Sequence, residues 1–425
     1  MNSEKINTLD PDGKLILTGS EKPWQDVVAG NSKISATLAL RWKSENATHT
    51  DIQFLDNLNL RHDYFPPEIE MQLGGRHRGD IIEHTFAANA LFPDYETRQH
   101  TVKPEQFNRD FRRGMVIEPR LGRFYPKGIF NGVQNVLASS MQPCRITDIN
   151  ETQISTDFSH PLANKPVELT MQIQHIWEIG SERGGRCSDI TQLMTENGPG
   201  MQARYGSIAT DFFSDQPFDR IDADDDAVFY QKLRMVQHLD SSCRAQIRQL
   251  YAELLPARGQ ILDLMASWDS HLPETLQAQV TGLGMNASEL DANPVLSTCV
   301  VHDLNRDPSL PFADNSFDAI VCTASFEYLT QPDKIVSALA AVLKPGGLLV
   351  ITFSNRWFPT KAVKIWSEIH EFERIGLVSE TLQRNADFSE LHTLSSRGLL
   401  RPQDDKYASE LLLSDPVYAL WATRR

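Results

Sequence analysis

This sequence contains few cysteines, no long apolar run and no first segment that resembles a leader. Its 425 residues contain 5 cysteines, which are scattered and form no Cys-x-x-Cys pair. We therefore expect neither a disulfide framework nor a metal site. The first residues are polar, and no apolar stretch is long enough for a signal peptide or a membrane span. This pattern predicts a cytoplasmic protein with no membrane partner.

The charge balance is acidic. The formal net charge is −15 at pH 7, from 41 basic and 56 acidic side chains. Because phosphate groups repel such a chain, no nucleic-acid partner is expected. The acidic run at 222–226 is interpreted as a solvated loop. A chain of this length predicts two or three domains.

The second half of the chain alternates strand-like and helix-like patterns. Its apolar runs predict strands at 261–264, 280–285, 298–303, 317–322 and 348–353, and its helical spacing predicts a helix at 333–343. Such alternation favours parallel pairing and a doubly wound α/β sheet. Ligands of such sheets bind beyond the carboxyl ends of the strands, so the residues after each strand are the candidates for chemistry.

Four motifs in this half occur in a recognisable order. They are Ile261-Leu262-Asp263-Leu264, Asp303, the segment 310–318 and the Leu-Lys-Pro-Gly-Gly turn at 343–347. Together they resemble the class I S-adenosylmethionine-dependent methyltransferases, in a divergent type 11-like branch. The resemblance implies a Rossmann-like fold over 205–425, S-adenosylmethionine as cofactor and a methyl acceptor of unknown identity.

The sequence departs from this family at two cofactor positions. The segment 265–271 replaces the glycine loop, and Gly284-Met285-Asn286 replaces the acidic residue after the second strand. A branch whose loop reads Ser-Ser-Trp-Val-Ser-His-Leu-Pro, and whose second strand ends Gly-Met-Asn, resembles both segments. By this resemblance the candidate cofactor-binding residues are Asp263, Met265, Ser267, Trp268, Met285, Asn286, Asp303 and Leu304. Turn-capping is the alternative role for the two aspartates, and Trp268 either stacks on adenine or fills the space of the missing glycines.

Catalytic groups are hard to identify for methyl transfer, because positioning supplies most of the rate. Glu327 and Tyr328 follow the fourth predicted strand and are weak candidates for a general base, with a surface role as the alternative. In the resembling family a helix such as the one predicted over 229–254 caps the cofactor, and its polar residues here are Tyr230, Arg234, His238 and Asp240. Pairing of these residues on the helix surface is the alternative. Another helix is predicted over 357–372, and last strands at 391–400 and 417–422.

The first half has a different character. After a loose lead-in at 1–32, alternation predicts strands at 34–42, 80–86 and 167–176, with a short helix at 68–73. These elements predict a mostly β domain over 33–180. A polar, glycine-containing linker is predicted at 181–204.

Two fragments of this half resemble the FKBP family in its SlyD-type form. The turn at 157–165, Asp-Phe-Ser-His-Pro-Leu-Ala-Asn-Lys, precedes a closing strand, and 65–80 resembles the helix and strand entry of that family. The resemblance implies an FKBP-like β domain with an inserted flap at about 96–156, acting on unfolded or proline-containing polypeptides. Candidate pocket aromatics are Phe54, Tyr64, Phe65 and Tyr95, with core or turn positions as the alternative. His160 is assigned to turn geometry. The second functional hypothesis is thus a prolyl isomerase or chaperone-like protein with a silent methyltransferase fold.

Overall fold

One continuous sheet of eleven strands organises the molecule. The computed structural model describes residues 6–9, 15–18, 25–93, 98–178, 187–195, 198–385 and 387–425. Residues 94–97, with Tyr95 and the start of the predicted insert, and much of the predicted linker lie outside that description.

The first half is almost entirely β-structure. Its strands are β1 Ile6–Leu9, β2 Leu15–Thr18, β3 Ser32–Lys43, β4 Ala47–Asn59, β5 Ile81–Phe86, β6 Gln99–Val102, β7 Phe124–Pro126, β8 Pro143–Ile149, β9 Ile154–Asp157 and β10 Val167–Glu178. Its helices are α1 Pro67–Leu73 and α2 Ile190–Thr195, the second of which falls within the predicted linker.

The second half alternates helices and strands. Its strands are β11 Gln260–Leu264, β12 Gln279–Gly284, β13 Thr298–Val301, β14 Phe317–Thr323, β15 Leu343–Phe353, β16 Phe388–Arg397 and β17 Val417–Arg424. Its helices are α3 Asp226–Tyr230, α4 Ser241–Leu254, α5 Ala287–Asp291, α6 Pro332–Val342, α7 Lys364–Glu368 and α8 Glu371–Gln383.

The parallel part of the sheet has the order β13-β12-β11-β14-β15, and β17 then pairs antiparallel with β15. Alternate residues of β11 enter different cores: Leu262 and Leu264 pack on the side of α6 and α8, and Ile261 on the side of α4. Burial on both faces explains the uninterrupted apolar runs in the sequence. The predicted Rossmann-like arrangement of this half is confirmed.

The two halves share this sheet. β16 pairs in parallel with β4, and the order continues β4-β3-β10-β5 by antiparallel pairing. Buried polar groups hold the junction: His49 Nδ1 lies 2.7 Å from Thr393 Oγ1, and Ser395 donates to Asp51 at 2.9 Å. The Trp42 indole also donates to Asp51, at 2.8 Å. The first half therefore covers the edge that β16 would otherwise expose.

The antiparallel part contains the elements predicted for it. β3, β5, β10 and α1 lie within a few residues of the predicted bounds, and α1 buries Ile69 and Leu73. β4 was not predicted. Between β5 and β10, the strands β6, β9, β8 and β7 form a separate sheet with its own small core. The likeness to an FKBP-like domain stays a prediction.

Two predicted helices are wrong in extent. The pattern at 229–254 is divided into α3 and α4, because Asp240 caps α4 by accepting from the Cys243 amide at 2.8 Å. The helix expected over 357–372 starts only at Lys364 and is broken before Glu371, where His370 caps α8. Both breaks depend on caps that apolar spacing does not register.

β13 is an edge strand of the sheet and leaves the Cys299 thiol exposed. One further expectation needs correction. The run at 222–226 is not wholly solvated: Asp226 is 5% exposed and pairs with Arg220 and Lys361. Among the described residues, no helix combines the length and apolar character needed to cross a membrane.

Candidate active site

A cavity of about 570 Å³ lies at the carboxyl ends of the parallel strands. Its wall includes Met265 after β11, Met285 after β12, Asp303 after β13 and Ala324 after β14. The neighbours β11 and β14 mark the point where strand order reverses, which is where ligands of doubly wound sheets bind. The volume lies within the roughly 300–1,000 Å³ of small-molecule sites.

The structure brings all eight predicted cofactor residues to this one cavity. They are Asp263, Met265, Ser267, Trp268, Met285, Asn286, Asp303 and Leu304. Of the two candidate bases, Tyr328 lies on the wall and Glu327 is not among the lining residues. The strand-end motifs therefore predicted the location of the cavity well.

The loop after β11 has an unusual backbone for a segment without glycine. Met265 has φ +59° and His271 has φ +52°, both in the left-handed region. Such conformations cost non-glycine residues about 1–3 kcal/mol and concentrate at functional sites. Met265 packs its side chain partly against the core while it borders the cavity, and the Ala266 amide donates to Leu283 O at 2.8 Å. The loop therefore adopts backbone conformations that usually require glycine, although Met265 and His271 occupy these positions.

Glu289 connects three segments of the wall, and sequence reasoning missed it. Its carboxylate accepts from the Ser267 hydroxyl and from the Arg234 amide, each at 2.7 Å. It lies on α5, three residues after the helix cap Asn286. The spacing Asn-x-x-Glu is typical of a helix start and was the available signal. The acidic residue that the family has after its second strand is replaced here by Gly284-Met285-Asn286. Glu289 supplies a carboxylate close to that position.

Asp263 is a buried carboxylate with unused hydrogen-bonding capacity. It is 3% exposed, and its Oδ2 atom has no partner among the described residues. Burial raises the pKa of Asp263 to about 7, although a hydrogen bond with Ser270 acts in the other direction. An orphaned carboxylate oxygen on a cavity wall is suited to a donor group of a ligand.

Asn286 and Asp303 have local structural roles on the wall. Asn286 accepts from the amides of Ser288 and Glu289 at the start of α5, and its side-chain amide donates to Tyr230 O at 2.9 Å. Asp303 accepts from the Asn305 amide at 2.9 Å. The turn-capping alternative therefore describes contacts that exist, and it leaves both side chains beside the cavity.

Trp268 lines the cavity and is only partly buried. It belongs to none of the buried core clusters of the described residues. Trp268 therefore lies beside the cavity, and its predicted stacking on adenine stays a prediction.

The two candidate bases lie in unsuitable environments. Glu327 is 1% exposed, and burial raises the pKa of its carboxyl to about 8. Burial likewise raises the pKa of Tyr328 well above its usual value, and its hydroxyl accepts from the Phe358 amide at 2.9 Å. Because Glu327 lies away from the cavity wall, a general-base role for it has no geometric support.

Two chain segments form the mouth of the cavity. One runs through 231–240, and the other is the long connection 398–416 between β16 and β17. Arg401 joins them: it lies 2.6 Å from Asp415 and 3.4 Å from Asp240, with all three side chains nearly inaccessible. Breaking a buried ion pair of this kind costs about 3–5 kcal/mol, so the mouth is a fixed structure.

Comparison with known proteins agrees with this geometry. Residues 259–351 match a family described as "Methyltransferase domain". One relative is the ubiquinone/menaquinone biosynthesis C-methyltransferase UbiE of Laribacter hongkongensis, 26% identical over 138 residues, or 32% of this chain and 55% of that protein. Its counterpart in Haemophilus ducreyi is 32% identical over 111 residues, or 25% of this chain and 43% of that protein. The chain thus spans about half the length of these curated relatives.

Solved structures show likeness over the same part. A methyltransferase of Thermotoga maritima, described as a possible histamine N-methyltransferase, is 15% identical with a TM-score of 0.32, covering 43% of this chain and 90% of that one. The [4+2]-cyclase SpnF is 18% identical with a TM-score of 0.29, covering 42% and 80%. Likenesses this weak do not extend the assignment.

Residues 259–351, which include β11 to β14 and most of β15, are thus similar to a methyltransferase domain, and the cavity lies at the carboxyl ends of these strands. The match implies S-adenosylmethionine as its cofactor. The cavity fits such a molecule: it has the volume of a small-molecule site, several carboxylates for a cationic ligand and an aromatic ring on its wall. The same comparisons give no support to an FKBP-like first half.

Proposed function

We propose that this chain transfers a methyl group from S-adenosylmethionine to a small-molecule acceptor bound in the same cavity. The observation that supports this most is the convergence of eight predicted cofactor residues on one cavity at the switch point of the sheet. When bound, the sulfonium supplies an electrophilic methyl group. A lone pair of the acceptor forms the new bond to carbon, the electrons of the broken S–C bond go to sulfur, and the acceptor releases a proton.

The protein's part in this proposal is positioning and exclusion of water. Asp263, Ser267 and Trp268 would hold the cofactor from the β11 side, and Met285, Asn286, Asp303 and Leu304 from the β12 and β13 side. Placing donor and acceptor in contact supplies most of the acceleration that methyl transfer requires. No general base is part of the proposal, because Glu327 lies off the wall and the Tyr328 hydroxyl is already engaged.

Calorimetry with S-adenosylmethionine tests the proposal. The full chain is required, because removing the first half would expose the edge of β16. We expect saturable heat and a rise in melting temperature with S-adenosylmethionine. ATP is the control, since this loop offers no glycine cradle for phosphates. Absence of heat at millimolar S-adenosylmethionine would refute the proposal and favour a silent fold.

A second candidate function belongs to the first half: binding of unfolded or proline-containing polypeptides. What supports it is a second cavity of about 470 Å³ between the inserted sheet and helices α7 and α8. Apolar residues such as Phe111, Met115 and Met141 line it, and Met141 is 56% exposed. Apolar surface open to solvent is typical of polypeptide-binding sites. Prolyl isomerisation lacks comparable support, because His160 stacks on Phe92 and bonds Thr195 in a turn.

A further inference from the structure

The acidic groups of the first cavity are concentrated at one end. Four carboxylates on its wall lie on β11 or in the segments after β11, β12 and β13: Asp263, Asp269, Glu289 and Asp303. A fifth, Asp226, lies elsewhere on the wall and is paired with Arg220 and Lys361. Each of the first four accepts at least one hydrogen bond within the protein. This end suits a ligand that carries positive charge, as the proposed cofactor does.

The opposite end carries cations. Arg356 follows β15, Lys406 lies on the mouth segment 398–416, and both line the cavity. They flank one ring: the Arg356 guanidinium lies 4.4 Å, and the Lys406 ammonium 5.0 Å, from the centroid of Tyr407. Across the described part of the chain, neither cation has a carboxylate within ion-pair distance. Arg234, by contrast, donates to the backbone oxygens of Phe229 and Lys232.

The two ends of the cavity are separated by two strand positions of the sheet. β15 is two strands from β11, which corresponds to about 10 Å at the usual strand spacing. A cofactor held by groups after β11, β12 and β13 therefore leaves the β15 end free for the acceptor. Lys406 is exposed, and Arg356 interacts electrostatically with Asp405 from beyond ion-pair distance, so neither cation is neutralised by a direct ion pair. This arrangement favours a ligand that brings the missing anion.

The surroundings of these cations are flat and apolar. Trp357 and Phe358 follow Arg356 on the wall, and Tyr407 lies beside both cations. His238 stands edge-on to Phe358 with centroids 5.1 Å apart. Aromatic walls with a few polar groups orient planar ligands by stacking.

We propose that the methyl acceptor is a small aromatic acid whose carboxylate is held by Arg356 and Lys406 at the β15 end of the cavity. This inference depends on the proposed methyl transfer and names the acceptor class for it. The carboxylate would replace the missing partner of two cations, and the ring would lie among Trp357, Phe358 and Tyr407. A neutral analogue would leave both cations unpaired and bind less well.

The test uses the full chain, S-adenosylmethionine and matched pairs of hydroxybenzoates and hydroxycinnamates with their primary amides, followed by release of S-adenosylhomocysteine. We expect turnover of acids and not of amides. Arg356→Gln and Lys406→Gln should each raise KM for the acid about tenfold or more, the loss typical of a charge-assisted hydrogen bond, while the cofactor Kd stays constant. Lys43→Gln is the control, because Lys43 is exposed on β3 in the first half and is not on the cavity wall.

The remaining outcomes contradict the inference in distinct ways. Equal turnover of acids and amides, or no turnover of any acid by a chain that binds S-adenosylmethionine, rejects the acceptor class and leaves the proposed function standing. A weaker cofactor Kd in Arg356→Gln with unchanged KM for the acid assigns the cations to the cofactor. Failure to bind S-adenosylmethionine removes the proposed function itself.

Discussion

The hydroxyl of Ser267 donates to Glu289 Oε2 at 2.7 Å and thereby ties the loop after β11 to the helix after β12. Glu289 Oε1 accepts from the Arg234 amide, so one carboxylate fixes three segments of the cavity wall. Both donors use a carboxylate oxygen, and an amide side chain offers only one oxygen, so in a glutamine variant the Ser267 hydroxyl must instead accept from the amide nitrogen.

Glu289→Gln should therefore destabilise the protein and loosen the site. We expect a loss of about 1–3 kcal/mol in the free energy of unfolding, since one buried donor loses its acceptor. The cofactor Kd from calorimetry should rise about tenfold in parallel. Glu274→Gln, at an exposed position, is the matched control. Wild-type melting and affinity in Glu289→Gln would mean that this carboxylate does not organise the wall.

Because of Asp263, we expect the free energy of unfolding to depend on pH. Its folded pKa, about 7, is raised above the ordinary 3.8. The folded state therefore retains a proton that the unfolded state loses, so this carboxyl's contribution is complete below about pH 4 and declines as pH rises to 7. The slope is at most about 1.4 kcal/mol per pH unit.

Chemical denaturation of Asp263→Asn between pH 4 and 8 measures this contribution. The variant should gain stability relative to the wild type as pH rises through that window, because asparagine has no proton to lose. Asp291→Asn, on the exposed end of α5, is the control. A difference between variant and wild type that is constant with pH would show that Asp263 is ionised normally in the folded protein.

We predict that the first half binds polypeptides but catalyses little prolyl isomerisation. Of the candidate aromatics that the structure describes, Phe54 and Phe65 are buried and Tyr64 is 72% exposed, and none lines either cavity described above. A protease-coupled assay on a proline tetrapeptide should give close to the uncatalysed rate. Robust turnover would restore the isomerase hypothesis.

Binding is tested with a permanently unfolded, reduced and carboxymethylated protein. Met141→Asp places a charge in the second cavity and should weaken binding severalfold. Met71→Asp is a matched control, because Met71 is an exposed methionine on α1, away from that cavity. Equal loss of binding in both variants would exclude the second cavity as the site.

Strand positions were predictable because they depend on local runs of apolar residues. The run 261–264 and the turn at 343–347 specify buried parallel strands whatever follows them, and the cavity lies at their ends. The cap at Asp240 was missed because it is set by a buried network with Ser414 and Asp415, far along the chain. Helical spacing alone continued through it.

The sequence pattern also did not reveal the long-range pairing between strands. Nothing in the apolar pattern of β16 distinguishes a free edge from one that accepts β4, and the polar groups that join them read as ordinary serine and threonine. The cations at the mouth were missed for the same reason. Arg356 and Lys406 are fifty residues apart in the sequence, and the fold brings each of them to the same ring, that of Tyr407.

A comparison of Trp268 with Trp366 shows how a tryptophan on the cavity wall differs from one in the core. Trp268 is partly buried on the cavity wall, whereas Trp366 is 0% exposed and packs against Phe353 with centroids 4.9 Å apart. Replacing a core tryptophan by alanine costs about 3–5 kcal/mol through lost contacts and the cavity left behind. Trp366→Ala should therefore melt at a much lower temperature.

Trp268→Ala should instead keep most of its stability and lose affinity for the cofactor. An aromatic face near a sulfonium contributes about 0.5–2 kcal/mol, which corresponds to a Kd weakened about two- to thirtyfold. Thermal denaturation and calorimetry with S-adenosylmethionine on the two variants decide the matter. If Trp268→Ala unfolds as readily as Trp366→Ala while its Kd is unchanged, the indole supports the fold and does not close the cleft.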